Sequence, residues 1–181
     1  MFYDFLQTAR PNAAHQALAT LERKDRLRAL VTQNIDDLHR AAGSRTVHEF
    51  HGNYRRLTCL ACHAHYGAAQ LDLSDLPPTC RMCGGVLKPD IIFFGEAIPE
   101  PARTESFDAA DACDVILVVG TSGEVMPACL IPRLAKEHGA TIIEVNTVPS
   151  TFTDSITDVF LKGPAGEVMT RLLAAVGLSP S

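Results

Sequence analysis

The 181-residue sequence has no apolar run long enough to cross a bilayer, which takes about 20 residues. It also lacks a basic leader with a small-residue cleavage site. The opening Met-Phe-Tyr-Asp-Phe-Leu-Gln carries an acid and no Lys or Arg, so secretion is not expected and a cytoplasmic location is. No basic cluster is present: Lys and Arg are scattered and the net charge is −5. That argues against a phosphate-backbone binder, so nucleic acid is not expected as a direct partner. Internal repeats and low-complexity tracts are missing, and no glycine precedes Gly43. The remainder, 46% hydrophobic and 20% charged, is ordinary globular composition. It suffices for one domain, or one domain carrying a small inserted module.

The pattern along the chain alternates strand and helix. Asn12 caps a helix running to about residue 24, and Leu27 to Thr32 reads as a buried strand. A helix starting near Asp36 is stopped by Gly43, and Thr46 to Phe50 alternates as a short strand. From Asn53 to Pro89 the texture changes to cysteines, Pro77-Pro78 and Gly84-Gly85, the signature of a module held by something other than a core. Beyond it come a helix near 101–112, an unbroken apolar strand Val115–Val119, a helix near 127–138 and a strand from Thr141 to Val145. A strand over 158–161 and a helix over 165–176 close the pattern. Val115–Val119 reads as a strand covered on both faces. The expected fold is α/β: a Rossmann-like parallel sheet with helices on both faces, formed by 1–52 and 90–181 and interrupted by a zinc-ribbon module at 53–89.

The cysteines carry the most specific signal. Without an export signal they are not expected to form disulfides. Four of the six fall into Cys59-Leu-Ala-Cys62 and Cys80-Arg-Met-Cys83, with 17 residues between the pairs. Zn²⁺ favours four tetrahedral thiolates, and a full set leaves no open position for water, so this metal should be structural. His63 and His65 lie in the same module as redundant ligands. Cys113 and Cys129 sit in apolar surroundings and read as small buried hydrophobes.

Polar turns follow the strands. In an open parallel sheet, ligands bind beyond the carboxyl ends of the strands. Gln33-Asn34-Ile35-Asp36, His51-Gly52, Gly120-Thr121-Ser122 and Asn146 all stand at such ends. The Gly120 turn offers backbone N–H groups and hydroxyls to a phosphate, and Asn146 is placed for a ribose hydroxyl. Together they favour a nucleotide. His48 points to a sheet face, whereas His51 ends a strand beside a glycine, the address of a general base.

In order along the chain, Thr32–His39, His51-Gly52-Asn53, the two cysteine pairs, Lys88–Glu96, Val118–Ser122, Glu144-Val145-Asn146 and Lys162–Glu167 resemble the sirtuin family over nearly the whole sequence. The resemblance implies NAD-dependent removal of acetyl or other neutral acyl groups from protein lysines, releasing nicotinamide and O-acyl-ADP-ribose. It implies NAD contacts at Gln33, Asn34, Ile35, Asp36, Gly120, Thr121, Ser122, Asn146 and Ala165, with His51 taking a proton from a ribose hydroxyl. It also implies that Ile92, Phe93, Phe94, Gly95 and Glu96 clamp the acylated peptide as an added strand, with Phe94 walling the acyl-lysine tunnel.

Three departures stand out. Sirtuins begin with a strand leading into a Gly-Ala-Gly phosphate loop, which a sequence with no glycine before Gly43 does not contain. Its first strand lies centrally in the family sheet, so either the flanking strands pair directly or another chain covers the gap, and self-association through the edges is a possible partnership. Weak NAD affinity is expected. Gly123 stands where many relatives carry leucine. Tyr3-Asp4-Phe5-Leu6 lacks the arginine with which one subgroup binds acidic acyl chains, so neutral acyl groups are expected. The competing reading is an inactive zinc-containing module that binds a peptide or partner chain.

Overall fold

Asn12 opens the helix that begins at Ala13, as its side chain predicts. Its Oδ1 accepts from the Ala14 and His15 amides at 2.9 and 3.2 Å, which satisfies donors that the first turn leaves free. The structure is a computed structural model and describes residues 8–73 and 76–179; Tyr3 and Leu6 lie outside the described residues. Helix α1 (Ala13–Arg23) buries Ala14, Ala17, Leu18 and Leu21. Strand β1 (Leu30–Thr32) pairs in parallel with β2 (Val47–Glu49), and the single-turn α2 (Leu38–Ala41) lies between them in sequence. Strands β3 (Gly52–Cys59), β4 (His65–Gly67) and β5 (Leu87–Ile91) form an antiparallel sheet in the order β4-β3-β5.

The rest alternates: α3 (Ala102–Asp111), β6 (Val115–Val119), α4 (Leu130–Glu137), β7 (Thr141–Asn146), β8 (Val159–Lys162) and α5 (Ala165–Ala175). β6, β7 and β8 are parallel and adjacent in that order.

Two cores hold the α/β body. Val145 of β7 packs with Leu30, Val47, α1 and α5, while Ile142, three residues earlier, packs with Phe50, Val118, α3 and α4. A strand sends alternate side chains to opposite faces, so this split places helices on both sides of one sheet layer. Each core contains residues from both parallel sheets. Burying Phe50, Phe152, Leu57, Ile142, Met169 and Leu173 almost completely is the main driving force of the fold.

The parallel layer is not continuous. β1-β2 and β6-β7-β8 are separate sheets, and among the described residues β1 and β6 do not pair. Direct closure of the layer, one of the two expected outcomes, does not occur. Val115–Val119 meets a core on each face, Leu117 and Val119 on one and Ile116 and Val118 on the other, but at the end of its sheet Val115 is 53% exposed and only Val118 is fully buried. β1 is also three residues long rather than six, because the chain at Arg26 and Leu27 is still turning off α1 through bonds to the Leu21 carbonyl. Helix α4 starts at Leu130, after a turn in which the Cys129 and Leu130 amides reach Val125 and Pro127. The cysteine-rich segment does have a small core, with Leu57, Cys59, Ala68, Cys80 and Leu87 all buried.

Candidate functional site

The four cysteine sulfurs converge. Cys59 and Cys62 close the turn between β3 and β4, Cys80 and Cys83 the turn before β5, and all four Sγ atoms lie within 4.8 Å of one another. The Cys59–Cys83 and Cys62–Cys80 sulfurs are each 3.6 Å apart. Four thiolates about 2.3 Å from a tetrahedral zinc stand roughly 3.8 Å from one another, so the donor set fits Zn²⁺ in size, number and chemistry. The Ala61 and Cys62 amides point at Cys59 Sγ at 3.4 and 3.5 Å, as expected around a thiolate. The Tyr66 hydroxyl lies 3.2 Å from Cys80 Sγ and holds that thiol down to about 6. At Cys62 the Ala64 amide favours the thiolate, but the Cys83, Cys59 and Cys80 sulfurs and burial prevail and push it up to about 12. Four thiols this close cannot all ionise without a cation among them. His65 is engaged elsewhere, 2.9 Å from Thr58 Oγ1.

His51 stands between β2 and β3, directly after the fully buried Phe50. Its carbonyl accepts from the Ile92 amide at 3.0 Å, which ties it to the first residue of the Ile92–Glu96 segment. Gly52 has φ 70, and a Cβ there would overlap the Asp90 carbonyl oxygen, so only glycine lets β3 run this close to β5. Past Ile92 the chain is locked by Lys88 and Glu96. Lys88 Nζ donates to the Ile91 carbonyl at 2.8 Å, pairs with Glu96 at 3.0 Å and sits 4.8 Å from the Phe93 ring centre. Glu96 accepts from the Phe93 amide, and that bond, with Lys88, holds its carboxyl below the usual range. The lock leaves Phe94 standing out at 96% exposure.

The other strand ends are organised by their own side chains. After β1, Thr32 Oγ1 accepts from the Asn34 amide and Asp36 Oδ1 from the Leu38 amide, at 3.1 and 3.0 Å. After β6, the Gly120 amide reaches the Val145 carbonyl, and Asn146 Nδ2 donates to the Thr121 carbonyl at 2.9 Å. The Asn146 carbonyl accepts from Gly163, which brings Ala165 at the start of α5 to the same end. The structure thus gathers Gly120, Thr121, Ser122, Asn146 and Ala165 at one strand edge. The Asn146 side chain is occupied by protein partners, with Oδ1 accepting from Thr147.

Sequence reasoning missed several residues. Thr151 bonds Ser122 and Gly123 through its amide and hydroxyl, fixing the Gly120 turn from a distant loop. That loop is in turn held by Glu144, a carboxylate 1% exposed that accepts from Thr153 and Thr157 at 2.9 and 2.8 Å. Gly123, flagged by its departure from leucine, has φ 75 and faces Thr151 and Phe152, whose ring carbon would lie 2.7 Å from a Cβ. The loop before α2 also contains Asp37 at φ 61, paired with Arg55 at 2.8 Å. No local pattern announces these pairs. The Tyr66 contact had a weak signal, an aromatic close to the cysteine pairs.

A two-sided parallel α/β layer with polar turns at its strand ends and a four-cysteine insert defines a nucleotide-binding type of fold braced by a structural metal. Comparison with known proteins is specific. The Sir2 family profile matches residues 1–127. The NAD-dependent protein deacylase 2 of Pyrobaculum aerophilum is 46% identical over 173 residues, 96% of this chain and 69% of that protein. The NAD-dependent protein deacylase of Pyrococcus furiosus is 47% identical over 173 residues, 93% of this chain and 69% of that protein. Among solved structures, a Sir2 bound to acetylated peptide superposes with TM-score 0.92 at 33% identity, covering 98% of this chain and 79% of that one. A Sir2 homolog–NAD complex gives 0.89 at 40%, covering 95% and 67%. The chain belongs to the Sir2 family. No helix among the described residues is long and apolar enough to cross a membrane.

Proposed function

We propose that this protein is an NAD-dependent protein-lysine deacylase that removes acetyl or other neutral acyl groups. The observation that carries the reading is the Ile92 amide bonded to the His51 carbonyl, which fixes the candidate base and the candidate peptide-binding segment to one another. The relatives named as deacylases, and the related structures with NAD and with acetylated peptide, support the same reading.

When bound, NAD supplies an activated glycosidic bond to nicotinamide and a ribose that accepts the acyl group. The chain's own residues have distinct tasks. His51 takes up a proton from a ribose hydroxyl, so that the hydroxyl can engage the acyl carbon. Gln33, Asn34, Ile35 and Asp36 line the nicotinamide and ribose end, where amides orient and the carboxylate opposes developing positive charge. In the Gly120-Thr121-Ser122 turn, Thr121 and Ser122 present backbone and hydroxyl donors beside Gly120, and Asn146 holds that turn in place through Thr121. Ile92 to Glu96 offers a peptide an edge to pair with, and the exposed Phe94 becomes buried when an acyl-lysine lies against it.

In this proposal 53–89 is the zinc module, and 1–52 with 90–181 the Rossmann-like body. A cytoplasmic setting suits four clustered thiols that must stay reduced to hold a metal. Self-association through the β1 and β6 edges is supported by their lack of pairing to each other among the described residues; light scattering tests it. His51→Ala tests the function. Acyl transfer to ADP-ribose should disappear, while persistent activity would remove His51 from the mechanism.

A further inference from the structure

Asp37 is an anomaly that the proposed chemistry does not use. It immediately follows Asp36, adopts a left-handed backbone at φ 61, and buries Oδ1 without a hydrogen-bond partner. Aspartate tolerates this region better than most residues, yet the conformation is uncommon outside glycine, and such sites cluster where geometry matters for function. The group that meets its carboxylate is on another element. Arg55, the fourth residue of β3, places one guanidinium nitrogen 2.8 Å from Asp37 Oδ2 and the other 3.7 Å from Glu49 Oε1. The preceding residue, Tyr54, donates its amide to the Ile35 carbonyl at 3.3 Å. Asn53 Nδ2 donates to Glu49 at 2.7 Å, and Arg40 of α2 approaches Glu49 at 3.6 Å.

Three consecutive residues at the start of β3 therefore grip the loop from Ile35 to Asp37 and the Glu49 carboxylate beneath it. β3 ends at Cys59, the first of the four clustered cysteines. An isolated exposed ion pair would count for little. This one differs because the Asp37 and Glu49 side chains are only 17% and 18% exposed, and because the paired residue is the one held in left-handed backbone.

We propose that Arg55 is a positioning residue for the Gln33–Asp37 loop, clamping it to the strand that roots the zinc module, so that seating of the metal sets the order of this loop. The inference rests on the proposed function for its consequence, since that loop is the nicotinamide end of the NAD site. The structural part stands independently. Loss of the guanidinium frees Asp37 to relax; the Tyr54–Ile35 bond still ties β3 to the loop, and the loop keeps its own Thr32–Asn34 and Asp36–Leu38 bonds.

The test is hydrogen–deuterium exchange on zinc-loaded protein, comparing wild type, Arg55→Met, Arg55→Lys and Asp37→Asn, with metal analysis of each. Arg55→Met should speed exchange at residues 34–38 by about tenfold or more while zinc content and protection around the cysteines stay unchanged. Arg55→Lys should recover at least half of the lost protection, because one cation can still serve Asp37. Asp37→Asn should loosen the loop as Arg55→Met does, and the double variant should be no worse than either single one. Chelation should loosen the loop of wild type but add little to Arg55→Met. Protection within twofold of wild type in both single variants would overturn the proposal. So would loosening that spreads equally to the cysteine turns, or no gain from lysine. Calorimetry separates the two readings: NAD affinity should fall about tenfold in Arg55→Met, and failure of wild type to bind NAD would sink the proposed function while exchange still decides the clamp.

Discussion

Gly52→Ala should damage the junction of the zinc module and the α/β body more than any other one-carbon change. The position has φ 70, and a left-handed alanine costs about 1–2 kcal/mol before any contact is considered. The added Cβ would also overlap the Asp90 carbonyl oxygen and lie 3.0 Å from its carbon. Backbone cannot swing aside as a lysine tip can, so β3 and β5 must part. The pairing of Gly52 with Ile91 and the Ile92-to-His51 bond are the first to go. Two lost hydrogen bonds at about 0.5–1.5 kcal/mol each bring the total to roughly 2–5 kcal/mol, against a usual margin of about 5–15. For a chain of this size that is a fall in Tm of roughly 10 °C. Gly84→Ala is the control, because Gly84 shares the conformation, φ 75, but has nothing within 4 Å of an added Cβ. Thermal unfolding of both variants isolates the contact. If the two fall equally, or Gly52→Ala stays within about 2 °C of wild type, the close-approach reasoning is wrong.

Chelation should unfold the cysteine module, and metal analysis of fresh, reduced protein should find close to one zinc per chain on Cys59, Cys62, Cys80 and Cys83. The His39 imidazole is held down to about 4, chiefly by burial and further by the facing His15 ring at 4.7 Å, against the pull of Asp36. The stability from keeping it neutral is complete above the unfolded value of 6.5 and is lost as pH falls through about 4. The loss is about 2–3 kcal/mol after allowing for solvent screening, and it should vanish from the pH profile of His39→Gln unfolding. Neutral acyl-lysines should turn over faster than succinyl- or malonyl-lysine; a succinylated peptide cleaved as fast as an acetylated one would show that some residue supplies the missing cation.

The sequence reading succeeded where the cause was local and stumbled where it was not. Asn12 capped its helix because the capping bonds span three residues. β6, β7, β8 and α5 fell close to their expected places because their apolar patterns are self-contained. The four cysteines were readable from spacing alone. Val115–Val119 meets a core on both faces as its apolar run implies, but the run does not report whether a neighbouring strand covers its edge. α2 shrank to one turn behind a left-handed Asp37, whose carboxylate pairs with Arg55, 18 positions away. Asn146 stands at the strand end expected to face a ribose, and its side chain also braces the Gly120 turn, a role visible only once both loops are in place. Ion pairs and loop braces between distant elements leave no periodicity to find.

The most direct measurement incubates the zinc-loaded chain with NAD and an acetyl-lysine peptide and follows products by mass spectrometry. The account predicts deacetylated peptide, nicotinamide and O-acetyl-ADP-ribose in equal amounts, none of them formed without NAD or by His51→Ala. Deacetylation without NAD, or no product at saturating NAD from protein carrying its zinc, would contradict it.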